Sequence, residues 1–207
     1  MSEPPPPPRP LRILTLGDSI TASGAWQAEL SRLCAQAGVT LDIRNVAVPG
    51  TRTSYWPDKI AGLLKEHDPD IVTLFSGTND DPNEHIYGES ATAWSFRYVV
   101  EQIRGYRPAD PVRIVPALIQ YSNPAVAPAW LLRNERITND TLWTQMKYYL
   151  PHGWFPGIPD FQQIPSTSEY LDQGGIHPDA LGYQTMGRIV YQSIAAGMGW
   201  PPLPSAA

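Results

Sequence analysis

Short apolar runs alternate with stretches of helical periodicity along the chain from Leu11 onward. Four of these runs, at residues 11–16, 40–47, 71–75 and 112–118, have the length and aliphatic content of buried strands. Apolar residues at spacings of three and four follow the first three runs and predict helices there. This alternation predicts an α/β fold in which helices cover both faces of a parallel sheet.

The pattern is weaker in the second half of the chain. Residues 121–130 are rich in proline and alanine and predict a long loop, a kind of segment that often carries function. A helix over residues 142–150 and a poorly marked fifth strand near residues 154–161 should follow. The last helix is clear, because apolar residues recur at helical spacing after Asp179.

Length and composition indicate one domain between two proline-rich ends. The 207 residues carry a formal net charge of −5, with 42% hydrophobic and 17% charged residues, which is enough chain for one sizeable core. Six of the 23 prolines fall in the first ten residues, where consecutive prolines favour an extended arm. We therefore expect an arm at residues 1–10, a domain at residues 11–200 and a tail at residues 201–207.

The charge and hydrophobicity of the sequence limit the classes of binding partner that we expect. Both signs of charge are scattered without a basic block, so we expect no binding to nucleic acid or to a membrane surface. No apolar run approaches the ~20 residues that span a bilayer. The first ten residues lack the basic and apolar regions of a secretory signal, so a cytoplasmic location is the default expectation.

Metal and cofactor sites are not predicted. Cys34 is the single cysteine and shares a predicted helix face with Leu30, so we expect it in the core. One cysteine excludes an intramolecular disulfide and a cysteine-based metal cage. The sequence also has no phosphate loop and no dinucleotide fingerprint. We therefore expect a protein that works without metal or cofactor.

Polar residues follow the first three predicted strands at their carboxyl ends, where open parallel sheets bind ligands. Gly-Asp-Ser-Ile at residues 17–20 places Ser19 at a strand-to-helix turn among free backbone N–H groups, as a hydrolase nucleophile requires. A serine that only caps the helix is the alternative. Gly50 lets a backbone amide approach a ligand closely. Asn79 can donate its side-chain amide to an oxyanion near Ser19, or it can close a loop turn.

A histidine stands immediately before the last predicted helix, in Gly-Gly-Ile-His-Pro-Asp at residues 174–179. The flanking glycines and proline shape the backbone so that the ring of His177 can project into a cleft. A neutral imidazole there suits a general base near neutral pH. A structural histidine at the start of a helix is the alternative.

Taken in order, these four fragments resemble the four sequence blocks of the SGNH hydrolase superfamily, also called GDSL-type esterases and lipases. The resemblance spans roughly residues 11 to 195. It implies a three-layer α/β/α flavodoxin-like fold with a parallel sheet of about five strands. It also implies Ser19 as nucleophile, His177 as base, and an oxyanion hole formed by the Ser19 and Gly50 amides and the Asn79 side chain.

One position departs from the family pattern. The family usually has an aspartate three residues before the histidine, and here that residue is Gly174. Asp172 can replace it, because the two glycines that follow make the loop pliable. A backbone carbonyl of Gly174 or a neighbour can instead accept the imidazole N–H. Asp179 is a third candidate, although a cap on the last helix suits it better.

The expected function is hydrolysis of a small-molecule or glycan ester through an acyl-enzyme on Ser19. A short acyl group on a carbohydrate or small alcohol is the favoured substrate. Trp130 and Trp154 lie on predicted loops, where their rings can stack on a sugar or pack inside the protein. Because the usual acid is missing, the alternative is a weakly active or inactive glycan-binding module with the same fold.

Overall fold

The computed structural model describes residues 9–203 and contains a parallel sheet of four strands. The strands are β1 (Leu11–Gly17), β2 (Leu41–Asn45), β3 (Ile71–Phe75) and β6 (Arg113–Pro116), with a separate antiparallel hairpin of β4 (His85–Ile86) and β5 (Glu89–Ser90). The spatial order is β2-β1-β3-β6, and every pairing within this sheet is parallel. The predicted α/β class with a parallel sheet is confirmed.

Helices cover the two faces of the sheet and form the outer layers. They are α1 (Ser19–Ala22), α2 (Ala25–Gln36), α3 (Ile60–His67), α4 (Ala91–Tyr106), α5 (Ala129–Tyr149) and α6 (Ala180–Met198), joined by 3₁₀ turns at Thr53–Tyr55, Leu150–His152 and Phe161–Gln163. Helices α2 and α6 pack on one face, and α3, α4 and α5 pack on the other.

Two hydrophobic cores lie between these layers. Adjacent strand residues point to opposite faces, so Ile13 of β1 joins the core under α2 and α6, while Leu14 joins the core under α3, α4 and α5. All five residues of β3 are buried, as expected of a strand covered on both faces. Cys34 is buried in the first core, which confirms its expected position.

Residues 154–161 do not form the predicted fifth strand. A single parallel bridge joins Leu118 to Asp160, and the Leu118 N–H donates to the Pro159 carbonyl at 3.1 Å. Pro156 and Pro159 lack the N–H groups that a longer ladder needs. The sheet therefore has four strands rather than the expected five.

The two predicted proline-rich ends fall largely outside the described residues, which leave out residues 1–8 and 204–207. Arg9, within the predicted arm, donates to the Asp70 carboxylate at 2.6 and 2.8 Å and so contacts the domain. Within residues 9–203, no helix is long and apolar enough to cross a membrane.

Candidate active site

The turn between β1 and α1 places Ser19 at the carboxyl end of the sheet. Gly17 is crowded there, because a Cβ atom on it would lie 2.4 Å from the Phe75 carbonyl oxygen. Asp18 caps α1 by accepting a hydrogen bond from the Ile20 N–H at 3.1 Å. Since Asp18 is the cap, Ser19 is the first helical residue, and its backbone N–H has no partner within the helix.

The Asp18 side chain is buried directly behind the nucleophile. Burial disfavours the charged form and raises the pKa of Asp18 to about 6, even though the Ile20 N–H bond and the nearby Thr78 oppose the rise. Its Oδ2 atom has no hydrogen-bond partner within residues 9–203. Asp18 therefore supports the backbone turn that carries Ser19.

Ser19 and His177 meet across the carboxyl edge of the sheet. The Ser19 Oγ to His177 Nε2 distance is 2.9 Å, within hydrogen-bonding range, although 158 positions separate the two residues in sequence. His177 lies in the loop that leads into α6. The structure thus brings together the two residues that the sequence proposed as nucleophile and base.

Asp172 lies on the far side of the imidazole. Its Oδ2 is 3.6 Å from His177 Nδ1, and both side chains are nearly half exposed, at 44% and 43%. Its Oδ1 accepts a hydrogen bond from the Ile176 N–H at 3.3 Å. A Cβ atom on Gly174 would come within 3.4 Å of Asp172 Oδ1. The carboxylate of Asp172 therefore lies next to the position where the family pattern has its acid.

The other two candidates for the acid have different surroundings. Asp179 caps α6, because its Oδ1 accepts a hydrogen bond from the Gly182 N–H at 2.8 Å. Within residues 9–203, His177 Nδ1 forms no hydrogen bond to a backbone carbonyl. Of the three candidates, Asp172 is the one that contacts Nδ1 in the part of the chain that the structure describes.

The expected oxyanion donors lie on the loops after β2 and β3. Gly50 has a φ of +76°, a left-handed conformation that favours glycine. Asn79 donates one side-chain N–H to the Thr51 carbonyl at 3.0 Å, which leaves its second N–H for a ligand. The Val48 N–H donates to the Gly17 carbonyl at 3.1 Å and joins the Gly50 loop to the end of β1.

Asp80 holds the two donor loops together. Its Oδ1 accepts from the Thr53 N–H at 2.7 Å, and its Oδ2 accepts from the Thr92 hydroxyl at 2.6 Å. Burial raises the pKa of Asp80, while both hydrogen bonds oppose the rise. Through these contacts Asp80 connects the loop after Gly50 to the loop after Asn79.

A polar cleft of about 620 Å³ opens beside these donors. Its lining includes Gly50, Asn79, Trp130, Arg133 and Asn134. Trp130 lies in the first turn of α5 rather than in the predicted loop, and it is 64% exposed. A volume of this size lies within the range of ligand sites, roughly 300–1,000 Å³.

Trp154 lies elsewhere. Its ring stacks on Tyr149 at 5.3 Å and on His152 at 4.8 Å, and Arg104 covers it at 4.5 Å. Its carbonyl accepts a hydrogen bond from Ile114 near the start of β6, away from the carboxyl edge of the sheet. The structure therefore gives Trp154 a packing role and does not place it in the cleft.

Two buried polar residues near the site were not identified from the sequence. Gln120, after β6, donates its side-chain amide to the Ile176 carbonyl at 3.0 Å. Glu135, on α5, accepts hydrogen bonds from the Ser122 N–H and hydroxyl, and burial raises its pKa. Glu135 could have been identified from the sequence, because it is an acidic residue on the apolar face of a helix. No local pattern marks Gln120.

Comparison with known families gives one match over most of the chain. The model of the GDSL-like lipase/acylhydrolase family matches residues 15–185. The matched range includes Ser19, Gly50, Asn79 and His177. A search of curated proteins finds no match.

Solved structures with the same fold include several esterases. A family 3 carbohydrate esterase from Clostridium thermocellum has 20% identity and a TM-score of 0.72, covering 89% of this chain and 95% of its own. A lipase/acylhydrolase from Enterococcus faecalis has 18% identity and a TM-score of 0.70, covering 94% and 100%. A psychrotrophic esterase from Pseudoalteromonas sp. has 14% identity and a TM-score of 0.67, covering 91% and 98%. At these identities the likeness establishes the fold.

Proposed function

The chain belongs to the GDSL-like lipase/acylhydrolase family and is a carboxylic ester hydrolase, and from this premise we propose that Ser19 is its nucleophile and His177 its general base. The 2.9 Å contact between Ser19 Oγ and His177 Nε2 is the observation that carries the proposal. A nucleophile and a base within hydrogen-bonding distance are the minimal arrangement for acyl transfer.

The reaction proceeds in two steps. Ser19 Oγ attacks the ester carbonyl carbon while His177 Nε2 takes the hydroxyl proton, and the carbonyl oxygen becomes an oxyanion. The intermediate then expels the alcohol, whose oxygen receives the proton from His177. Water attacks the acyl-enzyme in the same way, and the carboxylic acid leaves as Ser19 regains its proton.

The oxyanion is stabilised by three donors in this proposal. They are the N–H groups of Ser19 and Gly50 and the side-chain amide of Asn79, which the Thr51 carbonyl orients. Donors fixed before the reaction stabilise the developing charge without reorganisation, and one such donor is worth ~10²–10³ in rate in a known hydrolase.

Asp172 takes the role of the triad acid. Its position 3.6 Å from His177 Nδ1 supports this assignment, since a carboxylate there favours the tautomer with the proton on Nδ1 and stabilises the imidazolium. The contact is longer than a tight hydrogen bond and half exposed. We therefore assign Asp172 a smaller contribution than a buried triad acid makes.

The favoured substrate is a short acyl ester of a carbohydrate or small alcohol. The cleft beside Asn79 combines an exposed Trp130 ring with polar side chains from Arg133 and Asn134. An aromatic face with hydrogen-bonding groups around it suits a sugar better than a long acyl chain. The likeness in fold to a carbohydrate esterase is consistent with this choice.

Hydrolysis of nitrophenyl acetate by the wild type and by Ser19→Ala tests the proposal. We expect Ser19→Ala to lower kcat by at least about 10³-fold, because the nucleophile is lost. A serine-directed phosphonate should label wild-type Ser19 in equal molar amount, and peptide mapping by mass spectrometry identifies the labelled residue.

Absence of both turnover and labelling would contradict the proposed nucleophile. That result would favour the glycan-binding module, which retains the cleft but performs no chemistry. A screen of acetylated and unmodified oligosaccharides against the wild type would then measure binding directly.

A further inference from the structure

The loop that carries the base is held both by its own backbone, through a hydrogen bond from the Asp172 N–H to the His177 carbonyl at 2.8 Å, and by contacts to other segments. His177 and Asp172 are both nearly half exposed, and their side chains are 3.6 Å apart. Gly174 and Gly175 lie between them, and glycine restricts the backbone least of all residues. The Ser19 Oγ to His177 Nε2 distance is 2.9 Å. Because His177 lies in this loop, the distance depends on the contacts that hold the loop backbone in place.

Two contacts tie this loop to the segment after β6. The Gly175 carbonyl accepts a hydrogen bond from the Asn123 N–H at 2.7 Å. The Ile176 carbonyl accepts one from Gln120 Nε2 at 3.0 Å. Gln120 is only 3% exposed, so its side chain is fixed by the surrounding protein. This second contact acts on the residue immediately before His177.

Gln120 also lines a cavity together with Asp18, the buried residue that precedes the nucleophile. The cavity has a volume of about 20 Å³, and its remaining walls are mostly apolar. Within residues 9–203, Gln120 Oε1 has no hydrogen-bond partner and Asp18 Oδ2 has none within hydrogen-bonding geometry, while Thr78 lies close enough to Asp18 to lower its pKa. Both atoms are buried acceptors, and an unsatisfied buried acceptor is costly.

The cavity is large enough for one water molecule, which would donate to both atoms. A cavity needs roughly 10–15 Å³ to hold a water, and a buried water typically forms about three hydrogen bonds to polar groups. Water supplies two O–H donors, which matches the two acceptors in this cavity. An apolar ligand would leave both acceptors unsatisfied.

We propose that Gln120 is a positioning residue that holds the His177 loop through the Ile176 carbonyl and shares one buried water with Asp18. The base loop and the nucleophile turn are thereby joined through a single buried amide. The expected effect on kcat rests on the proposed function of Ser19 and His177. The expected effect on the distance between their side chains does not.

Crystal structures at about 1.5 Å of the wild type and of Gln120→Met test the geometry without any turnover. The wild type should show a water within about 3.2 Å of both Asp18 Oδ2 and Gln120 Oε1. Gln120→Met should lose that water and lengthen the Ser19 Oγ to His177 Nε2 distance beyond hydrogen-bonding range. A wild-type cavity without density overturns the shared water, and an unchanged distance in the variant overturns the positioning role.

Kinetic measurements on Gln120→Met and on a matched control variant test the expected effect on catalysis. Gln27 is also buried and donates to the Thr21 carbonyl at 2.8 Å, and its Oε1 has no hydrogen-bond partner among the described residues 9–203. The Thr21 carbonyl keeps other donors, from Asn45 at 2.9 Å and Gly24 at 3.2 Å, when Gln27 is replaced. Gln27→Met therefore reproduces the loss of a buried amide without releasing the base loop.

We expect Gln120→Met to lower kcat by about ten- to a hundredfold with KM changed less than about twofold, since misplaced catalytic groups cost rate. Gln27→Met should stay within about twofold in kcat at a similar loss of thermal stability. Equal kcat values for the two variants would overturn the positioning role. If the wild type hydrolyses no ester, the crystal structures still decide the geometric claim, so the two failures are distinguishable.

Discussion

The turn that carries Ser19 is buried and crowded, whereas the loop that carries His177 is exposed and rich in glycine. At the nucleophile turn, Gly17 has no room for a side chain and Asp18 is buried beneath the helix start. At the base loop, Asp172 and His177 are nearly half exposed and in loose contact with each other. Backbone packing determines the first geometry, and a few hydrogen bonds determine the second.

The contrast between the two regions indicates at which positions the sequence pattern of the family can vary. Position 17 has no room for a side chain, because any Cβ at Gly17 displaces the backbone of β3. An exposed loop leaves room for a carboxylate two residues from the usual position, since a Cβ atom on Gly174 would lie 3.4 Å from Asp172 Oδ1. We therefore expect an added side chain to cost more stability in the nucleophile turn than in the base loop.

The largest expected effect is that of Gly17→Ala. Its Cβ would lie 2.4 Å from both the Phe75 carbonyl oxygen and the Thr21 Oγ1. We expect a loss of more than about 4 kcal/mol in the free energy of unfolding, an unusually large value for one methyl group. Urea unfolding followed by circular dichroism measures it, and a loss below about 1 kcal/mol would contradict the crowded-turn description.

Gly175→Ala should have a smaller effect. Gly175 has a φ of +69°, and a Cβ there would lie 2.3 Å from Val126 Cγ2 and 2.9 Å from Asn123 Cβ. These neighbours are side-chain atoms on a loop, so they can shift. We expect a loss of about 2–3 kcal/mol in the free energy of unfolding from the left-handed backbone and the contacts together. If Gly175→Ala costs as much as Gly17→Ala, the contrast between the two regions fails.

Asp18→Asn should stabilise the nucleophile turn above pH 6. Because the folded pKa of Asp18 is raised from 3.8 to about 6, the folded state binds the proton more tightly than the unfolded state. Wild-type stability therefore falls relative to Asp18→Asn as pH rises from about 4 to about 6, by roughly 3 kcal/mol. Asparagine retains the cap acceptor for the Ile20 N–H.

Unfolding free energies of both proteins at pH 4, 5, 6, 7 and 8 measure this effect. The difference between the wild type and Asp18→Asn should be smallest at pH 4 and constant above about pH 7. A difference that is independent of pH, or that grows as pH falls, would show that Asp18 does not carry the expected penalty.

Local patterns predicted the parts of the fold and the site that depend on neighbouring residues. The strand before Ser19, the glycine-rich loop before His177 and the helix after Asp179 all follow from residues within a few positions. The cap of α1 was not predicted, because Ser19 was the only candidate for that position and the structure has Asp18 there.

Contacts between distant segments could not be predicted in this way. Gln120 meets Ile176 across 56 positions, and no residue near Gln120 in sequence marks it as a support of the base loop. The prediction of a fifth strand was wrong because Pro156 and Pro159 limit that segment to a single bridge. Trp154 was expected near substrate, but its ring packs on Tyr149 beside the sheet.

The central claim, that Asp172 replaces the acid absent at Gly174, is tested by the kcat of Asp172→Asn on nitrophenyl acetate at about pH 8. Asp179→Asn is the matched control, because asparagine caps a helix as well as aspartate does. A disabled acid costs ~10⁴ in turnover in a serine protease. For the looser contact here we expect about a hundredfold loss in Asp172→Asn and less than about twofold in Asp179→Asn. Asp172→Asn within about twofold of the wild type would contradict the claim.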